Sequence, residues 1–295
     1  MDRRCVIVGD IMMDVTALIE TDIVYASDTP AQVSLQPGGA AANTAAWLAA
    51  TGHGATLVGC VGDDAFGDHL GRGLAGLGVD LRLQPAPGHT TGTCVIVVDR
   101  RRERTMFPDP GANSALTEAA FGDDVITAGS HVHLSGYTLI NEQSRPAGLA
   151  ALAGAERAGA SISLDPASAG PLLQCLDVVT PLLPRLDVLI ANEAEASVLT
   201  GVADPLAALA LLAGIVPTVV VKLGANGVAA SSGGMVVQRP AHATDVIDTT
   251  GAGDAFTAGF LPVWMRGGSL VDALDAGQVM AARAVSRVGA SPLVH

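Results

Sequence analysis

Asp248-Thr249-Thr250-Gly251-Ala252-Gly253-Asp254 runs straight into an apolar stretch from Ala255 to Trp264. The stretch reads as a helix, which puts both glycines at its entry. Glycine turns tightly and lets a ligand approach the backbone. A helix N-terminus offers unpaired N–H groups and the positive end of the dipole. Gly251, Ala252 and Gly253 therefore form a candidate anion hole suited to phosphate. Asp254 stands at its lip, where a carboxylate accepts a proton from an incoming hydroxyl. Anion hole plus adjacent base points to phosphoryl transfer. A lone Gly-Ala-Gly-Asp would read more simply as a loop-to-helix junction with an acidic cap. The full seven-residue string with an apolar helix behind it is more specific.

The chain around this string has 295 residues, 49% hydrophobic and 15% charged, so a sizeable core is available. Aromatic residues make up only 3%, which leaves few stacking platforms for nucleic acid. A formal net charge of −13 argues against nucleic acid or an anionic membrane as partner. Cys5, Cys60, Cys94 and Cys175 are too far apart in sequence to suggest a zinc pair. The first apolar run, Cys5 to Val8, is too short for a signal segment, and later runs are broken by Gly, Pro and charge. A reducing cytoplasm is the expected location.

Apolar runs at Cys5–Val8, Thr56–Val61, Val132–Ser135, Ser161–Leu164, Val188–Ala191 and Thr218–Lys222 read as strands. Ala-rich helical stretches separate most of them. This alternation predicts an α/β fold with a mostly parallel sheet covered on both faces. Residues 15–37 and 88–109 interrupt the pattern with strand-like pieces that lack helices between them, and these are expected to pair as a small separate sheet. Ligands of such folds bind at the carboxyl ends of the strands. The chain has no Gly-x4-Gly-Lys-Ser/Thr, no spaced glycine fingerprint after the first strand and no Gly-x-Ser-x-Gly. A P-loop enzyme, a dinucleotide-dependent dehydrogenase and an α/β-hydrolase are thereby disfavoured.

Further stretches share the polarity of a binding site. Gly38-Gly39-Ala40-Ala41-Ala42-Asn43 combines close-approach residues with a donor–acceptor side chain. Asp14 follows the first strand, and a carboxylate accepts from two vicinal hydroxyls. Asn192-Glu193-Ala194-Glu195 and Lys222-Leu223-Gly224-Ala225-Asn226-Gly227 each follow a strand. A helix start with acids in its first turn is a common alternative for the first, which only the joint match of motifs defeats, and an Asn-Gly hairpin explains the last two residues of the second equally well.

Taken together and in order, the glycine-rich segment with Gly59-Cys60-Val61-Gly62-Asp63-Asp64, the later motifs and the Asp248–Asp254 string resemble the ribokinase-like (PfkB) family of carbohydrate and nucleoside kinases. The resemblance covers Gly9 to Pro292. It implies a ribokinase-like three-layer α/β/α fold over residues 1–295 as one domain, with a small β-sheet lid at about 15–37 and 88–109. It also implies ATP-dependent phosphorylation of a hydroxyl, usually a primary CH₂OH, with Asp254 as base and Gly251, Ala252 and Gly253 as anion hole. Asp14, Gly38, Gly39 and Asn43 become acceptor ligands. Asn192, Lys222, Gly224, Gly227 and Gln278 fall on the ATP side, and Glu195 orders water around Mg²⁺.

For K⁺, the resemblance names Asp248 and the Thr250 carbonyl. Leu293 stands where one family ligand is a serine, which weighs against the ion, although backbone oxygens remain. Ser135 stands where ribokinase has a ribose-binding Glu, which disfavours ribose. In some relatives the lid also forms a homodimer interface. The His131/His133 pair shares a strand face but lacks a third metal ligand, so packing or surface positions are expected. Arg100-Arg101-Arg102 reads as a solvated turn, while Arg104 is a candidate for binding an anionic group on the acceptor. A nucleoside kinase on the same scaffold, or a sugar- or nucleotide-sensing protein that kept the fold, are the alternatives. The intact Asp254 and its anion hole favour an enzyme.

Overall fold

The computed structural model describes residues 4–101, 104–122 and 124–292. Its thirteen strands among those residues form two sheets. The larger contains β1 (Cys5–Val8), β4 (Ala55–Val61), β5 (Asp80–Pro85), β8 (His131–Ser135), β9 (Ser161–Asp165), β10 (Val188–Asn192), β11 (Thr218–Lys222), β12 (Val228–Ser232) and β13 (Met235–Arg239). Its order is β13-β12-β11-β10-β9-β8-β1-β4-β5, parallel except at β11-β12 and β12-β13.

The smaller sheet contains β2 (Met12–Leu18), β3 (Gln32–Gly38), β6 (Gly92–Val98) and β7 (Arg104–Asp109), in the order β3-β2-β6-β7. Its first strand starts three residues earlier than the interrupting segment suggests, so Asp14 lies within a strand and not in a loop. Ten helices among the described residues complete the fold: α1 (Ala40–Ala50), α2 (Ala65–Gly76), α3 (Tyr137–Ile140), α4 (Arg145–Ala158), α5 (Ala169–Leu173), α6 (Leu176–Val179), α7 (Glu193–Thr200), α8 (Pro205–Ala213), α9 (Ala252–Met265) and α10 (Leu270–Val285).

β1 is apolar at every position, and β10 and β11 through their middles, because both faces are covered. Successive side chains point to opposite faces, so each strand feeds two cores. Val6, Val8, Leu189, Ala191, Val219 and Val221 pack with α4, α7 and α8. Cys5, Ile7, Val188, Ile190 and Val220 pack with α1, α2, α9 and α10. That is the three-layer arrangement. Among the described residues no single helix is long and apolar enough to cross a membrane.

Two features escape the sequence reading. β5 is a half-exposed edge strand in which Arg and Gln interrupt the apolar signal. The β12–β13 hairpin is Ala/Ser-rich on one arm and largely exposed on the other. After β1, the strands β4 and β5 lie on one side and β8 to β13 on the other. The carboxyl ends of β1 and β8 therefore flank a switch point, where open α/β sheets bind ligands.

Candidate active site

The N-terminus of α9 is built by Gly251, which holds φ 73 as the residue before the first turn. A Cβ there would sit 2.6 Å from Ala290 Cα, and the positive φ disfavours any side chain in addition. Ala252, Gly253 and Asp254 form the first turn, where N–H groups lack intrahelical partners. A Cβ on Gly253 would lie 3.0 Å from Lys222 Nζ, which places the ammonium group directly against the cradle. Lys222 ends β11 and donates to Asp165 Oδ2, at the end of β9, at 2.8 Å. Burial lowers the Lys222 pKa, but Asp165 and Glu195 more than reverse this, so the group stays charged.

Asp254 lies in the first turn of α9, and Asn43 Nδ2 donates to its Oδ2 at 2.9 Å. Asn43 is delivered by α1, which starts after Gly39 at φ 93; a Cβ on Gly39 would meet the Asp10 carbonyl oxygen at 2.5 Å. Burial raises the Asp254 carboxyl well above its ordinary value. The Asn43 hydrogen bond and Lys222 pull it down, and Asp165 and Asp10 push it up. Asp254 is therefore a stronger base than an unperturbed aspartate.

On the other side of the cleft, Asp14 is buried on β2 with its carboxylate against the Cα of Gly38, so a side chain at 38 would collide with it. Burial and the charges of Asp10 and Asp248 push Asp14 up to about 7. Asp10 caps the switch point: its carboxylate accepts from Ala40 N and from Ser135 Oγ, both at 2.8 Å. Ser135 thus serves to hold Asp10. Tyr137 follows two residues later and is partly exposed. Burial raises its phenol, as do Asp10, Asp165 and Asp254, and Ser168 hydrogen-bonds to it.

Asn192 and Glu195 form a complete capping box at the start of α7. Asn192 Oδ1 accepts from Glu195 N at 2.8 Å, and Glu195 Oε2 accepts from Asn192 N at 2.8 Å. Burial raises Glu195, and Asp165 adds to this. The bland reading of this motif is correct locally, and its carboxylate still faces the Asp165–Lys222 pair. Gly224 and Gly227 lie in the loop that reverses the chain from β11 to β12, just after Lys222, and a Cβ on Gly227 would meet the Arg239 carbonyl. Gln278 on α10 donates to the Pro240 carbonyl at 3.0 Å.

Arg104 sits on the cleft-facing side of β7, but its guanidinium is engaged. It pairs with Asp248 at 3.2 Å and donates to the hydroxyls of Thr249 and Thr250. The expectation that it faces an anionic acceptor meets this competing use. Of the two placements expected for the histidine pair, packing is the one observed. His131 and His133 are buried and share hydrogen bonds with Ser163 Oγ at 2.7 and 2.8 Å.

Two candidates were missed by the sequence. Asp165-Pro166 at a strand end reads as a turn, and Tyr137 carries no motif. Their common signal was position, since both lie at the carboxyl ends of parallel strands.

The family model described as pfkB family carbohydrate kinase matches residues 2–295. The chain is 36% identical over 239 residues to a fructokinase of Klebsiella pneumoniae, covering 76% of each. It is 32% identical over 292 residues to an ATP-dependent ribose-1-phosphate kinase of Halopiger xanaduensis, covering 97% of this chain and 93% of the relative. Adenosine kinase from Sinorhizobium meliloti superimposes with a TM-score of 0.89 at 27% identity, covering 100% of this chain and 97% of that one. Motif order, three-layer fold and whole-length similarity agree: the chain belongs to the pfkB family of carbohydrate kinases.

Proposed function

We propose that the protein transfers the γ-phosphoryl group of ATP to a hydroxyl, preferably a primary CH₂OH, of a neutral sugar or sugar derivative. The observation that carries this reading is Asp254, raised by burial, held by Asn43 and set in the first turn of α9 with Lys222 against Gly253. As the acceptor oxygen bonds to phosphorus and the bond to the ADP oxygen breaks, Asp254 takes the hydroxyl proton. The Gly251–Gly253 cradle and Lys222 receive the charge on the transferred group. Asp14 accepts from acceptor hydroxyls and fixes the ring.

A neutral acceptor is favoured by charge. Asp10, Asp14 and Asp254 all contribute carboxylates to this end of the sheet, and the cations supplied there are already paired, Lys222 with Asp165 and Arg104 with Asp248.

The donor side fits Mg²⁺. Asp165 and Glu195 present hard oxygens with only Lys222 to offset two carboxylates. Among the described residues no group of three or more His, Cys, Asp or Glu is placed to hold a metal directly, which suits an ion that keeps its waters. Bound there, Mg²⁺ would neutralise phosphate charge.

A nucleoside acceptor is the second reading, favoured by the exposed Tyr137 ring after β8 and by Met106 on the cleft side of β7. The small sheet is read as a lid within one domain, and its outer face as a homodimer interface. ADP release measured across neutral sugars, ribose 1-phosphate, sugar acids and nucleosides tests the proposal. Highest kcat/KM for a neutral sugar supports it, and preference for an anionic acceptor overturns the charge argument.

A further inference from the structure

Asp248 joins three segments of the chain. Its Oδ1 accepts from Thr250 N at 2.9 Å and Thr250 Oγ1 at 2.7 Å, and pairs with Arg104 Nη1 at 3.2 Å. Its Oδ2 accepts from Gly289 N at 3.0 Å. The segments joined are β7 of the small sheet, the Thr249–Thr250 approach to Gly251, and the stretch at Gly289–Ala290 that packs against Gly251. Gln36 of β3 also lies against Gly289, so two strands of the small sheet bear on the same corner. Burial raises Asp248, but the Thr250 and Gly289 hydrogen bonds and the Arg104 charge leave it below the ordinary value.

Among the described residues, Asp248 and its partners do not fit a free monovalent cation; Leu293 lies outside the described residues. Both carboxylate oxygens are taken by N–H and O–H donors, and a guanidinium already supplies the positive charge. A second cation on Asp248 would be repelled by Arg104 and would have to displace it.

We propose that Arg104 is a tethered cation and a positioning residue. It balances Asp248, fixes Thr249 and Thr250 through their hydroxyls, and thereby sets the Gly251–Gly253 amides without K⁺. The proposal rests on the kinase reading for its kinetic consequence and on geometry alone for its structural one.

The test uses the full chain as wild type, Arg104→Ala and Arg104→Lys. Turnover is measured in tetramethylammonium, sodium and potassium chloride at equal ionic strength, and amide exchange is followed over residues 249–255. Wild-type turnover is expected to be the same in all three salts. Arg104→Ala should lose about 10-fold or more in kcat in tetramethylammonium, because misplaced binding groups cost rate even when the chemistry is intact. Its KM for acceptor should change little. Potassium or added guanidinium should restore part of the loss, Arg104→Lys should retain more activity than Ala, and exchange over 249–255 should quicken in the Ala variant.

A wild type that requires K⁺ overturns the proposal. So does an Ala variant with normal kcat and a raised KM for an anionic acceptor only, which would make Arg104 an acceptor ligand. If no acceptor is phosphorylated by wild type, the kinase reading fails separately. The exchange measurement then decides the clamp, and unchanged exchange over 249–255 overturns it.

Discussion

Asp254 and Asn43 come from helices 211 residues apart in sequence and meet in one hydrogen bond of 2.9 Å. The bond stabilises the charged carboxylate, whereas burial favours the protonated form. The base must be ionised to accept a proton, so kcat/KM should fall as pH drops through its raised pKa. That acid limb should lie above the usual carboxylate range. Removing the donor with Asn43→Ala lets the pKa rise further, so the limb should move to higher pH. A pH–rate profile of the two proteins checks the direction; a limb that stays put or moves down denies Asp254 the role.

The Asp254 motif itself was legible from sequence because glycines, acid and apolar helix are contiguous. Its partners were not. Lys222–Asp165 spans 57 residues and Arg104–Asp248 spans 144, and no local pattern encodes either pair.

Among the elements, β8 and β9 carry a buried polar ladder where an apolar one would be expected. His131 bonds to Ser161 and Ser163, and His133 bonds to Ser163, so each imidazole finds a hydroxyl across the strand pair. Burial lowers His133 to about 4; Asp165 raises it slightly and Lys222 lowers it. The unfolded imidazole takes up a proton below its ordinary 6.5, while the folded one stays neutral until about 4. This contribution to stability is therefore complete above 6.5 and is lost as pH falls towards 4. His133→Gln removes the titration. The drop in unfolding free energy from about pH 7 to about pH 5 should be smaller in the variant by roughly 2 kcal/mol. Urea melts at both pH values check it, and equal drops would show that His133 does not titrate with folding.

The strands buried on both faces were legible as apolar runs. β5 and the β12–β13 hairpin were not, because edge and half-exposed strands mix polar residues into the signal. The extent of β2 was missed because Asp14 interrupts its apolar pattern.

The whole molecule presents one large apolar surface on the small sheet. Leu35, Val15, Val95 and Phe107 pair directly across β3, β2, β6 and β7, and Val33, Ala17 and Val97 form the next row on the same face. Leu35 is 49% exposed, Val95 43% and Phe107 58%, whereas Cys94 and Ile96 on the opposite face are 4% and 3% exposed. A contiguous apolar sheet face on a chain of charge −13 calls for a partner whose contact is apolar. A second copy would supply the same surface by two-fold symmetry, as in the homodimer proposed above. Sedimentation should find a dimer in wild type and a monomer in Phe107→Asp. A monomeric wild type would assign the face to something else.

The account rests on Asp254 taking the acceptor proton at the mouth of the α9 cradle. The most direct test compares Asp254→Asn with wild type in ATP turnover, on the best acceptor of the panel, alongside calorimetric ATP binding. The account predicts that kcat falls by about 10²- to 10⁴-fold, the usual worth of a positioned base, while ATP binds with nearly unchanged affinity. Turnover close to wild type in Asp254→Asn would contradict it.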